Sequence, residues 1–203
     1  MLDSSSGAAS GRPALGWENV EGAILPQPSR RVRGTLGGVT DLAPLARAAA
    51  SLLTRLRQTV GVSESSAGGL ISAALLAIPG ASVYFQGAGV IYTQNARRAL
   101  LGVADESVKG IRSSTEAYAL VGARAIREKL GTTWGLAETG ATGPTGNRYG
   151  DAAGHACIAV AGPVERVITV ETGSADREAN MWAFTRAALD LLTACLEESA
   201  KPH

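Results

Sequence analysis

The sequence predicts an α/β fold, a three-layer α/β/α sandwich whose sheet is mostly parallel or mixed. Three observations carry that expectation. From residue 41 onward, segments with helical spacing are interspersed with short apolar runs, the pattern of a sheet covered on both faces. Glycine-rich connections follow two of those runs. The 203 residues are 45% hydrophobic with a formal net charge of +1, which suits one compact core with an accessory arm.

Residues 1–40 mix Ser, Gly and Pro with isolated Trp17, Val20, Ile24 and Leu25, and keep the period of neither helix nor strand. They form an irregular arm that either docks through those apolar spots or stays disordered. The α/β domain spans 41–203. Behind an Asp41 N-cap, Leu42, Leu45, Ala46, Ala49, Leu53 and Leu56 repeat at helical spacing, with Pro44 tolerated in the first turn. A strand over Thr59–Ser63 enters a glycine loop, and a second helix runs from Leu70 to Ile78, ended by Pro79-Gly80. Residues 83–92 are β-branched and aromatic around Gly-Ala-Gly, an extended segment with a bend or bulge. A short helix follows over 94–101. The next helix is marked by a capping box, Ser113-x-x-Glu116, the stripe Ala119, Ala123, Ile126, Leu130, and Gly131 just past its end. Thr133–Thr139 reads as a buried strand and 140–154 as a loop. His155–Ala161 and Arg166–Thr172 are two more strands, and a long helix carrying Trp182, Thr185, Leu189, Leu192 and Leu196 closes the chain.

The balance of 19 basic against 18 acidic residues lacks the excess that a nucleic-acid or membrane partner requires, and Arg30, Arg31 and Arg33 read as a solvated cluster on the arm. The polar opening has no apolar stretch of signal-peptide type, and no run approaches the length of a membrane span. A soluble cytoplasmic protein is expected. Cys157 and Cys195 lack CxxC spacing, and His155 and His203 are the only histidines. We therefore expect reduced core cysteines, no metal site and no cofactor.

Two loops stand where chemistry is usual in an open α/β sheet, at the ends of strands. In Glu64-Ser65-Ser66-Ala67-Gly68-Gly69, the unpaired amides opening a helix suit an anionic group such as phosphate; the competing reading is that Ser65 or Ser66 is an N-cap. Gly140-Ala141-Thr142-Gly143-Pro144-Thr145-Gly146 is neither a P-loop nor a dinucleotide fingerprint, but can converge with the first loop on one crevice. Candidate binding residues are thus Ser65, Ser66, Ala67, Gly68, Gly69, Gly140, Thr142 and Gly143. Spacing alone does not single out Ser82, Tyr92 or Arg97.

In this order and at these separations, the segments resemble the CinA C-terminal domain, the family that includes nicotinamide mononucleotide deamidases. The family's Glu-Ser-Cys-Thr-Gly-Gly loop is similar to Glu64-Ser65-Ser66-Ala67-Gly68-Gly69. Its Pro-Gly-x-Ser, Tyr-Ser-Asn-x-x-Lys and Leu-Gly-Val stretches are similar to Pro79-Gly80-Ala81-Ser82, Tyr92 to Arg97 and Leu101-Gly102-Val103. Its Gly-x-x-Gly-Pro resembles Gly140 to Pro144, and its Gly-Asp-Arg resembles Ala175-Asp176-Arg177. The likeness covers residues 43–198. It implies an amidohydrolase that acts on the carboxamide of nicotinamide mononucleotide or a related small amide and releases ammonia. Carried over by position, its Ser, Tyr and Lys become Ser82, Tyr92 and Arg97, with Ser82 as nucleophile and Tyr92 as base. The sequence departs from the family at three places around one site: Arg97 stands for Lys, Ser66-Ala67 for Cys-Thr, and residues 147–152 for a loop ending in Lys-Pro. An arginine stays charged where a desolvated lysine can lose its proton. The alternative is therefore a catalytically silent nucleotide- or anion-binding domain; a third reading is an assembly module, a homo-oligomer bridged by the arm.

Overall fold

The structure, a computed structural model, describes residues 41–201. The expectations for the arm fall on residues 1–40, outside the described residues. Helix α1 (Ala43–Leu56) begins one residue later than the sequence suggests. Its N-cap is Leu42, and the Asp41 carboxylate accepts from the Ala43 amide at 3.1 Å, so Asp41 satisfies a first-turn donor from one position further out. Strand β1 (Val60–Glu64) leads through the glycine loop to α2 (Leu70–Leu76), which ends two residues before Ile78. Strand β2 (Phe85–Val90) carries the expected bulge, at Gln86, where the register with β1 jumps from Val60↔Phe85 to Gly61↔Gly87. The short helix α3 (Gln94–Ala96) runs into a π-type turn over Arg97–Leu101.

Helix α4 (Glu116–Leu130) corrects the capping-box reading. Its N-cap is Thr115, whose hydroxyl accepts from the Tyr118 amide, while Glu116 is already helical and accepts from Thr169. Gly131, at φ 62°, ends it as expected. Strand β3 (Trp134–Ala141) extends two residues beyond Thr139, so Gly140 is strand and not loop. A glycine fits there because a Cβ would lie 2.4 Å from the His155 carbonyl oxygen on the adjacent strand. Strands β4 (His155–Ala161) and β5 (Arg166–Glu171) precede the closing helix α5 (Arg177–Ser199).

The sheet is mixed, in the order β2-β1-β3-β4-β5, with β1 parallel to both β2 and β3 and the remaining pairs antiparallel. Alternation along the strands divides its two faces. Val60, Val62, Trp134, Leu136, Ile158 and Val160 pack with α1, α2 and α5 in a core of large side chains. At about 1.5–3 kcal/mol for each fully buried large apolar side chain, this layer supplies most of the hydrophobic stabilisation. The opposite face is different: Ala137, Cys157, Ala159 and Ala161 meet Ala119 and Ala123 of α4. There α4 lies so close that a Cβ on Gly135 would sit 1.9 Å from the Ala123 carbonyl oxygen.

Candidate active site

Leaving β1, the chain reaches β2 on one side and later β3 on the other, so the strand order turns about at β1. Open α/β sheets bind ligands beyond the carboxyl ends of their strands at such a point. A cleft of about 440 Å³ lies there, walled by Ser65 after β1, Ile91 and Tyr92 after β2, Thr139 at the end of β3, and Arg148 and Tyr149 of the following loop. That size suits a small organic molecule. Behind it, under α4, a smaller chamber of about 30 Å³ is lined by Ser65, Ile91, Arg97, Tyr118 and Thr139 together with apolar side chains such as Val121. It has room for about two water-sized bodies.

Two buried carboxylates shape the floor. Glu138, on β3, accepts from the Ser65 amide at 3.0 Å, the Ala67 amide at 2.8 Å and the Ser66 hydroxyl. Glu64, ending β1, accepts from the amides of Gly69 at 2.9 Å, Ile71 at 3.1 Å and Ser72 at 3.1 Å, and from the Ser72 hydroxyl. The remaining loop amide, Gly68, donates to the Ser65 carbonyl. The amides of Ala67, Gly68 and Gly69, where the sequence suggests an anionic group, are thus already engaged: Glu138 holds Ala67, Glu64 holds Gly69 and the Ser65 carbonyl holds Gly68. Neither Ser65 nor Ser66 caps the helix either, since the N-cap is Gly69 at φ 103°. Burial pushes the Glu138 carboxyl above its ordinary value against the pull of Ser66, Ala67 and Ser65, and the neighbouring Glu64 adds to the rise.

Of the residues placed by resemblance, Tyr92 lines the cleft, Arg97 lines the chamber behind it, and Ser82 lines neither. Ser82 lies in the turn Ala81–Val83 before β2, whereas Tyr92 follows its far end. A six-residue strand of about 17–20 Å separates them. Tyr92 is exposed, and its phenol oxygen accepts from Arg177 Nη2 at 3.3 Å; Arg177 Nη1 donates to the Gly143 carbonyl at 2.7 Å. Arg97 is 3% exposed, donates from Nη1 to the Ala104 carbonyl at 3.0 Å, and pairs through Nη2 with Asp105. Gly140 and the buried Thr142 are structural neighbours of the cleft: the Thr142 carbonyl accepts from Asn180 at 2.8 Å. Thus Ser65, Tyr92, Arg97 and Gly140 border the site, while Ser66, Ala67, Thr142 and Gly143 support it from behind.

Sequence reasoning missed Glu138 and Tyr118, and marked Arg177 only as part of the motif Ala175-Asp176-Arg177. A glutamate inside a run otherwise fit for burial was the available signal for Glu138; nothing local marked Tyr118. Both cysteines are free and buried, as expected of reduced core residues. Cys157 lies 3.6 Å from His155 Nε2, which also faces the Ser114 carbonyl at 3.0 Å while Nδ1 pairs with Glu171. Among the described residues no cluster of His, Cys, Asp and Glu is arranged to hold a metal ion, and no helix is long and apolar enough to cross a membrane.

The family model of the CinA C-terminal domain matches residues 42–196. A CinA-like protein of Gloeobacter violaceus is 39% identical over 185 residues, covering 88% of this chain and 43% of that protein. A CinA-like protein of Salinibacter ruber is 34% identical over 173 residues, covering 85% and 41%. The chain thus spans less than half the length of these relatives. Among solved structures, the competence/damage inducible protein CihA of Agrobacterium tumefaciens is 29% identical with a TM-score of 0.69, covering 78% of this chain and 97% of that one. A CinA superfamily protein of Klebsiella pneumoniae, at 23% identity and a TM-score of 0.73 over 78% and 99%, shares the fold. Both the order of motifs and the arrangement of strands agree with these matches, and the chain belongs to the CinA C-terminal domain family.

Proposed function

We propose that this domain is an amidohydrolase that cleaves the carboxamide of a small molecule, nicotinamide mononucleotide or a related amide, and releases ammonia through a serine nucleophile. The observation that carries this reading is the place of Ser65 at the carboxyl end of a parallel strand, where it lines both the cleft that Tyr92 walls and the chamber that Arg97 lines. Of the serines that line the cleft, Ser65, Ser113 and Ser114, only Ser65 also lines the chamber, and its backbone is pinned by Glu138. Its oxygen bonds to the amide carbon while a tyrosine, acting as the phenolate, takes the hydroxyl proton. Tyr92 suits that part because a guanidinium already lies on its oxygen. The cation is Arg177, not Arg97. When the C–N bond breaks, the proton leaves with ammonia, and water then cleaves the acyl-serine to give the acid.

Ammonia release from nicotinamide mononucleotide and a panel of small amides tests the reading. Ser65→Ala and Tyr92→Phe should each lower turnover by about a hundredfold or more with little change in ligand affinity. Ser82→Ala should leave turnover within about twofold of wild type. Loss of turnover in Ser82→Ala with an active Ser65→Ala would return the nucleophile to Ser82. No ammonia from any amide, with ligand still bound, would favour the silent binding domain.

A further inference from the structure

The two outer strands of the sheet are built differently. Strand β5 is bracketed by Arg166 and Glu171, which pair with Glu198 and His155. Strand β2, at the other edge, pairs with β1 alone, and among the described residues no hydrogen bond reaches its outer side. In a chain that is 18% charged, residues 65–96 hold no Asp, Glu, Lys, Arg or His, and that stretch carries α2, the turn before β2, and β2 itself. Burial explains only part of this, since Leu76 is 55% exposed, Val83 61% and Val90 45%, and Gln86 and Ala88 are exposed as well. An open edge offers a row of unpaired N–H and C=O groups to any other strand, and proteins ordinarily guard it with charge, proline, a bulge or a covering element. The bulge at Gln86 disturbs only the start of β2; residues 87–90 pair with β1 in unbroken register.

We propose that this edge is an interface between two copies of the chain, in which the β2 strands pair antiparallel about a two-fold axis normal to the sheet near Ala88 and join the two sheets into one. A second copy is the occupant that the charge pattern selects. Two-fold symmetry brings the same surface against itself, so a stretch without charge meets a stretch without charge. No ion loses its water and no like charges face each other. The pairing gives the outer N–H and C=O groups of residues 87–90 their partners. Leu76, Val83 and Val90 flank the seam and add apolar area to it. The clefts, at the carboxyl ends of the strands, then open at opposite ends of the shared sheet.

The full chain is measured by sedimentation equilibrium across the micromolar range, beside Ala88→Lys and Ala88→Glu, alone and mixed. Ala88 is exposed, so both variants should keep the fold, which circular dichroism checks. The wild type should be a dimer. Each variant alone should dimerise about tenfold or more weakly, because like charges meet at the axis, and an equimolar mixture should regain wild-type affinity. Hydrogen exchange of the amides of residues 87–90 in the wild type should slow as its concentration rises, a readout that needs no variant. A monomeric wild type, a dimer indifferent to charge at Ala88, a mixture that associates no better than its components, or exchange independent of concentration would overturn the interface.

Discussion

Glu64 and Glu138 are two buried glutamates with nearly the same number of donors, yet replacing each by glutamine should have opposite results. In Glu138, Oε2 takes both backbone amides and Oε1 only the Ser66 hydroxyl. A glutamine can place its carbonyl on the amides and its NH₂ toward Ser66, whose hydroxyl rotates to accept. In Glu64, each oxygen accepts from at least one backbone amide, Gly69 and Ile71 on Oε2 and Ser72 on Oε1. Either orientation of a glutamine there sets an NH₂ against a backbone N–H that cannot turn away. One stranded amide costs about 1–3 kcal/mol, and the surviving bonds weaken by up to about 1 kcal/mol on losing a charged acceptor. Glu64→Gln should therefore destabilise by about 1–4 kcal/mol, a fall in Tm of about 2–16 °C for a domain of this size. Glu138→Gln should stay within about 1 kcal/mol, because burial already favours its neutral form. Urea unfolding and thermal melts of both variants measure this. Equal losses in the two, or a larger loss for Glu138→Gln, would refute the assignment of donors to oxygens.

Gly135→Ala drives a methyl to 1.9 Å from the Ala123 carbonyl oxygen, a backbone atom, and should cost more than about 3 kcal/mol by chemical denaturation. For His155, burial lowers the pKa, but Glu171, Ser114 and Asp151 outweigh it and the net direction is up. A raised folded value means the native state holds the proton more tightly, so the stabilisation is complete below about pH 6 and falls as pH climbs through the folded value. Unfolding free energies from about pH 5.5 to 8.5 should show that decline, and His155→Gln should flatten it. Burial pushes the Cys157 thiol up and the Cys195 thiol up to about 11. Native protein at about pH 8 should therefore react with a disulfide reagent at least about a hundredfold more slowly than denatured protein.

The strands and helices were legible where one local pattern sufficed. His155–Ala161 stands out as a continuous apolar run because it is buried on both faces between α4 and α5. Gly131 ends α4 because the backbone needs a positive φ there, which is a local demand. The cap of α4 was misplaced by two residues because Ser113, Ser114 and Thr115 all have a suitable hydroxyl. The choice between them is made by Ser114, held at φ 57° with its carbonyl on His155, a contact across 41 residues. The site was legible as a location and not as a set of bonds. Its loops lie at strand ends, but the partners of their polar groups are remote: Ser66 finds Glu138 at a separation of 72 residues, and Tyr92 finds Arg177 at 85. Resemblance placed Ser82 beside Tyr92 in function, and only the run of β2 between them shows that they sit at opposite ends of a strand.

The unequal faces of the sheet bear on how such a domain can diversify. Where α1, α2 and α5 meet the strands, Leu, Ile and Trp side chains can exchange volume with one another. Where α4 meets them, backbone lies on backbone, and Gly122, whose Cβ would fall 3.3 Å from the Ala137 Cβ and 3.6 Å from the Ser63 hydroxyl, closes the floor of the inner chamber. Backbone fixes that side of the chamber, so it cannot be deepened there without moving a whole helix. The rim differs: on residues 147–152 Tyr149 lies between Arg112 and Arg148, and replacements touch no packed layer. A bottom set by backbone under a mouth made of side chains leaves the mouth as the part that substitution reshapes first.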